Sequence, residues 1–195
     1  MLRIIGGKYK RRKLNQPPLE ITRPTKDIAK EGLFSSLGDL TNKSFLDLFG
    51  GSGAIGLEAI SRNAKEVYII EKDKTAFKII KENAELISDP NVHLINDDYL
   101  KAINKINKVF DIIFIDPPYK MVINKEFIDS LFDNNVADKN TIIIIERDSL
   151  LDETISDFDI KVLKYGKSLM YILRSLWWKE LQFTQEVLIQ LLMDI

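Results

Sequence analysis

The sequence predicts an α/β protein built on one doubly wound, mostly parallel sheet, and three observations predict it. Short apolar runs rich in Ile, Val and Phe alternate with amphipathic stretches in the order βαβαβαβαβ. A glycine-rich segment, Gly50 to Gly56, follows the first of these runs and opens a helical stretch. The run Ile112 to Ile115 has the composition of a strand buried on both faces and ends at Asp116-Pro117-Pro118-Tyr119. Prolines donate nothing to a strand ladder, so this strand stops where the acid begins.

Taken in order, RIIGGKYKRRKL (3–14) reads as a hairpin, with Arg3 to Ile5 as one strand, Gly6-Gly7 as the turn and Lys8 to Leu14 as the return. Pro17-Pro18 lies in an extended linker, and Arg23-Pro24-Thr25 opens a helix with Thr25 as N-cap. Its apolar stripe is Ile28, Leu33 and Leu37, with Ala29 and Phe34 beside it, and Gly38 stops it. Strands follow at Ser44 to Phe49, Glu66 to Ile70 and Val92 to Ile95, then at Ile112 to Ile115 and Thr141 to Glu146. Between them lie helices, of which Asp73 to Leu86 turns Phe77, Ile80 and Ala84 inward; the others run Tyr99 to Ile106 and Phe127 to Phe132. Asp159 to Tyr165 and Ser168 to Arg174, turning at Gly166-Lys167, form an antiparallel hairpin and bring the sheet to seven strands. The chain divides into a basic arm (1–22), a main domain (23–174) and an apolar tail (175–195). The tail is helical in propensity but apolar nearly all round, which suits packing on the body, an oligomer contact or an altered reading frame alike.

At 195 residues the chain is long enough for one sizeable core. It holds no cysteine, which excludes disulfides and thiolate nucleophiles and suits a cytoplasmic protein. The single histidine, His93, lies within a strand and reads as structural, so no metal is expected. No run reaches the length of a membrane span, and no signal peptide is visible. The net charge of −1 conceals an asymmetry. Residues 1–30 carry nine Lys/Arg against two acids, while the rest carries 19 against 27. A basic arm on an acidic body suits an anionic partner. Lys8, Lys10, Arg11, Arg12 and Lys13 are the candidate phosphate contacts, with Tyr9 placed among them to stack on a nucleobase.

Gly51, Gly53 and Gly56 fit G-x-G-x-x-G, and Glu71 ends the next strand about twenty residues on, the spacing of an acid that takes a ribose diol. Asp97 and Asp98 follow the third strand, where either can accept from an adenine amino group. This set suits NAD or S-adenosylmethionine. Two features favour the second: the terminal hairpin departs from an all-parallel dinucleotide sheet, and hydride transfer has no use for Asp-Pro-Pro-Tyr. Methylation of an exocyclic amine does. The nitrogen's lone pair is delocalised into the base, and acceptors on its two N–H groups draw it towards tetrahedral geometry while a ring holds the base in plane.

The sequence resembles the bacterial 16S ribosomal RNA guanine-N2 methyltransferases, class I S-adenosylmethionine-dependent enzymes with a Rossmann-like fold. The resemblance rests on RIIGGKYKRRKL, RPTKDIAKEGLFSSL, FLDLFGGSGAIGLEAISR, FIDPPY and YGKSLMYILR, and spans residues 3–174. It implies cofactor contacts from Asp47, Gly51, Gly53, Glu71 and Asp98, with Asp97 competing for the last role. It implies base contacts from Asp116, Pro117 and Tyr119, and as partner 16S ribosomal RNA or an assembling small subunit. The rival readings are a DNA adenine-N6 methyltransferase, for which this length leaves no target-recognition domain, and a non-catalytic RNA-binding assembly factor. Oligomeric state and the methylated position are not legible in the sequence.

Overall fold

The computed structural model describes residues 2–17, 27–118, 121–147, 158–165 and 168–175. The expected Thr25 cap, Tyr119, the Gly166-Lys167 turn and the tail from 176 onward lie outside the described residues. The elements are α1 (Asp27–Leu37), β1 (Ser44–Asp47), α2 (Ala54–Ser61), β2 (Glu66–Ile70), α3 (Lys74–Ile87) and β3 (Val92–Ile95), followed by α4 (Tyr99–Ile103), β4 (Ile112–Ile115), α5 (Lys125–Asp133), β5 (Ile142–Arg147), β6 (Phe158–Tyr165) and β7 (Ser168–Ser175).

The seven strands form one sheet in the order β3-β2-β1-β4-β5-β7-β6. Strands β1 to β5 run parallel, and β7 pairs antiparallel with both β5 and β6. Strand order reverses between β1 and β4, whose register sets Leu46 against Ile113 and Asp47 against Phe114. A crevice at such a reversal, outside the carboxyl ends of the strands, is where open α/β sheets bind ligands.

The runs of β-branched residues are continuous because both faces are covered. Phe45, Ile112, Phe114, Ile144 and Met170 enter the layer under α1, α2 and α3, while Leu46, Ile113, Ile115, Ile143 and Tyr171 enter the layer with α4 and α5. Helix α2 is buried at all eight of its residues. Among the described residues no helix is long and apolar enough to cross a membrane.

Three local expectations are corrected. Gly6-Gly7 is not a two-residue hairpin turn. Pairing across the arm is a single bridge, Arg3 with Lys13, flanked by Ile4 N–H to Arg12 O and Leu14 N–H to Leu2 O. The chain between them loops widely, with Gly7 and Arg11 both at left-handed φ (75° and 71°). The glycines are there for close approach instead: a Cβ on Gly7 would lie 1.8 Å from the carbonyl oxygen of Ser61. Second, Ile28 is 74% exposed, because the inward positions of α1 go to Ala29, Leu33, Phe34 and, unexpectedly, Lys30. Lys30 is fully buried and its ammonium donates to Arg3 O at 2.7 Å. Third, the fully buried line of α3 is Ala76, Ile80, Asn83 and Ile87; Ala84 packs against the core as expected, but Phe77 is only half-buried and Asn83 takes an inward position. A polar side chain thus occupies the inward stripe.

Candidate active site

β1 carries Asp47 to the reversal point. Leu48 N–H bonds to Phe114 O, and Gly50 N–H to Ile70 O, so the chain leaving β1 is stitched to the ends of β4 and β2. Gly51 and Gly53 then take left-handed φ of 55° and 77°, and α2 begins with no side-chain cap. Gly56 serves packing: a Cβ there would lie 2.6 Å from the Ile69 side chain, so the glycine lets α2 lie against β2. A Cβ on Gly53 would meet Ile80 at 3.3 Å, so a side chain here adds crowding against α3 to the strain of its φ.

Asp47 is buried (1% exposed), with one carboxylate oxygen accepting from Gly56 N–H at 3.3 Å and the other, Oδ1, without a hydrogen-bond partner. Burial pushes its carboxyl up to about 7, against the opposing pull of the Gly56 and Phe49 N–H groups. An unsatisfied buried carboxylate oxygen beside a glycine loop is a socket for a cationic group. The α-ammonium of S-adenosylmethionine fits that description.

Glu71 closes the other side. Its oxygens accept from Gly51 N–H at 2.8 Å and Asp73 N–H at 2.7 Å. Both bonds fix the carboxylate at the end of β2, and each oxygen retains a lone pair for a diol. Asp73 caps α3 by accepting from Ala76 N–H. At the end of β3, Asp97 accepts from Asp98 N–H and pairs with Lys105 at 2.7 Å. Asp98 caps α4 and pairs with Lys72 at 3.0 Å. Lysine pairing holds both carboxyls below the usual range, so the doublet is anionic at neutral pH.

Asp116 follows β4 directly, half-buried, with Pro117 beside it and Pro118 exposed. Asp116 and Asp47 therefore flank the same crevice from adjacent strand ends. Three rings that the sequence did not single out pack together in the layer with α4 and α5. Phe49 lies 5.4 Å from Tyr99, and Tyr99 lies 5.1 Å from Phe127. They join the glycine loop, the Asp98 corner and the helix after the Asp-Pro-Pro segment.

The arm is part of the body on one side and exposed on the other. Leu2, Ile4 and Leu14 are buried in the core. Glu58, fully buried on α2, accepts from Ile5 N–H and Gly6 N–H, both at 2.8 Å, and pairs with Arg62. Ser61 receives Tyr9 N–H on its hydroxyl and Lys8 N–H on its carbonyl. Lys8 and the Tyr9 hydroxyl both engage Asp89, at 2.7 and 2.9 Å. Lys10, Arg11, Arg12 and Lys13 are exposed. Sequence reasoning missed Glu58 and Asn83. The available signal was a polar residue on an apolar helix stripe.

A parallel sheet of this order with an antiparallel terminal hairpin, a glycine loop after β1 and an acid-Pro-Pro at the end of β4 define a methyltransferase of class I. A sequence model of the family described as Conserved hypothetical protein 95 matches residues 2–174. "Ribosomal RNA small subunit methyltransferase D" of Buchnera aphidicola is 35% identical over 178 residues, covering 90% of this chain and 91% of that one. The protein of the same name from Escherichia coli K12 is 34% identical over 74% of each chain. The solved structure described as putative methyltransferase yhhF from Escherichia coli superposes with a TM-score of 0.79 at 28% identity, over 89% of this chain and 97% of that one. The chain belongs to the ribosomal RNA small subunit methyltransferase D family.

Proposed function

We propose that the protein transfers a methyl group from S-adenosylmethionine to the exocyclic N2 amine of a guanine in 16S ribosomal RNA. The observation that carries the reading is the meeting of Asp116-Pro117 with the Asp47–Gly53 loop at one sheet reversal. The likeness to proteins named for ribosomal RNA methylation supports the substrate class. That substrate implies work in the cytoplasm.

When bound, the cofactor supplies a methyl group on a sulfonium, already a strong leaving group. The work left to the chain is positioning. Asp47 would meet the cofactor's cationic end, Gly51 and Gly53 would shape the backbone around it, Glu71 would take the ribose diol, and Asp98 or Asp97 the adenine amine. Asp116 and the Pro117 carbonyl would accept the two N–H groups of guanine N2, which localises the nitrogen lone pair for attack. Tyr119 stacks on the extruded base. The methylated amine nitrogen carries one proton too many, and Asp116 would receive it. The exposed arm cations Lys10, Arg11, Arg12 and Lys13 neutralise RNA phosphates, with Lys8 and Tyr9 beside them.

The test is transfer of labelled methyl to 16S ribosomal RNA purified from cells lacking the enzyme, followed by nucleoside analysis. N2-methylguanosine is the expected product. N6-methyladenine in DNA, or no transfer with RNA still bound, would overturn the reading.

A further inference from the structure

Asn83 is fully buried at the centre of α3, where the stripe of that helix is otherwise apolar. Its carboxamide makes three hydrogen bonds. Oδ1 accepts from Asn15 N–H at 2.7 Å, and Nδ2 donates to Asn15 O and to Ser52 O, both at 2.9 Å. Asn15 lies in the arm, two residues past Lys13, the last basic residue of the cluster. Ser52 lies between Gly51 and Gly53, the two left-handed residues of the loop that faces the crevice. One side chain thus grips the backbone of the arm with one acceptor and one donor, and the backbone of the loop with its remaining donor. Two of its three bonds go to the arm. If the arm shifts, the carboxamide loses the bonds that fix its orientation, and with them the aim of the donor that holds Ser52. Among the loop's other bonds, Gly50 N–H to Ile70 O and Gly51 N–H to Glu71 tie it to the end of β2, whereas the Asn83 bond ties it through α3 to the arm.

We infer that Asn83 is a positioning residue that links the arm to the cofactor loop, so that RNA and cofactor bind cooperatively. The inference rests on the reading of the arm as an RNA grip. RNA that holds the arm docked also holds the loop in its cofactor-ready form. Reciprocity then requires that cofactor tighten RNA binding by the same factor.

The experiment measures S-adenosylhomocysteine affinity by equilibrium dialysis, with and without saturating unmethylated 16S ribosomal RNA. In wild type the affinity should rise about fivefold or more with RNA. Asn83→Asp keeps the acceptor for Asn15 N–H but removes both donors, and the ratio should fall to about one. Asn15→Pro removes the N–H at an exposed position outside the helix, and tests the link from the arm side should Asn83→Asp not fold. Asn15→Ala keeps that N–H and gives up only the hydrogen bond to Glu82, so it should retain the wild-type ratio. A second readout needs no cofactor: RNA should slow amide exchange of residues 50–56 in wild type and leave it unchanged in Asn83→Asp. A wild-type ratio of one, or a wild-type ratio kept by both Asn83→Asp and Asn15→Pro, overturns the inference. RNA affinity is measured in parallel on the triple variant Arg11→Ala, Arg12→Ala, Lys13→Ala. If that variant binds RNA as wild type does, the reading of the arm is what fails.

Discussion

Asp47 bears the largest electrostatic cost at the site, and its direction can be worked out. Unfolded, the carboxyl titrates near 3.8; folded, burial moves it to about 7. The native state therefore binds the proton more tightly, and stability falls as pH rises from 3.8 to about 7 and levels off above. At 1.36 kcal/mol per pKa unit the full loss is on the order of 4 kcal/mol. Asp47→Asn removes this dependence. Urea unfolding without cofactor should show the variant gaining on wild type between pH 4 and pH 7, and a constant difference across that range would refute the assignment. Asp116 has its proposed role in the chemistry instead. Asp116→Ala should leave S-adenosylmethionine affinity near wild type and cut methyl transfer by on the order of a hundredfold, as loss of a positioned polar group does. Normal turnover by the variant would leave Asp116 as a strand terminator. Glu71→Ala removes the acceptor for Gly51 N–H as well as the proposed ribose contact. Calorimetry should find cofactor binding weaker by about 1.5–3 kcal/mol, the scale of a charge-assisted hydrogen bond.

Helix α2 serves both ends of the proposed reaction. Its first residues follow the glycine loop, and towards its other end Glu58 and Ser61 dock the arm, with Arg62 at the C-cap paired to Glu58. Eight residues span only about 12 Å, so one rigid element sets the distance between loop and arm. Glu58→Gln is nearly isosteric but points an amide N–H₂ at donors that now face a carboxylate. It should destabilise the protein by about 1–3 kcal/mol and speed amide exchange at Ile5 and Gly6 before the rest of the chain. Uniform change across all amides would instead mean that Glu58 supports the fold as a whole.

Across the molecule, charge is segregated. Nine bases and two acids lie in residues 1–30, and 19 bases and 27 acids in the rest. An acidic body repels RNA, so basic surface must compensate if RNA is the substrate. Removing one phosphate-binding cation lowers the magnitude of the salt slope of log affinity by roughly 0.7 to 0.9. The triple variant Arg11→Ala, Arg12→Ala, Lys13→Ala should therefore bind RNA more weakly and with a flatter slope. Without RNA it should bind S-adenosylmethionine as wild type does. An unchanged slope would reduce the arm's charges to solvated surface.

Local patterns in the chain were enough to specify the sheet, its helices and the placement of the acids at strand ends. These follow from short-range rules: both-face burial makes continuous apolar runs, prolines end strands, and a glycine loop must follow the strand that feeds it. Glu66–Ile70, Val92–Ile95 and Ile112–Ile115 are strands with the bounds their composition predicts. What the polar residues inside helices are for emerged only from long-range packing. Lys30, Glu58 and Asn83 sit on stripes where periodicity asks for apolar side chains. Their partners are backbone groups of the arm, 27, 53 and 68 residues away in sequence. No local rule reaches that far. The same holds for Gly6 and Gly7, whose composition reads as a turn and whose role is to let the arm press against the end of α2. A buried hydrogen bond is chosen by what packs against it, and packing exists only once the chain has folded.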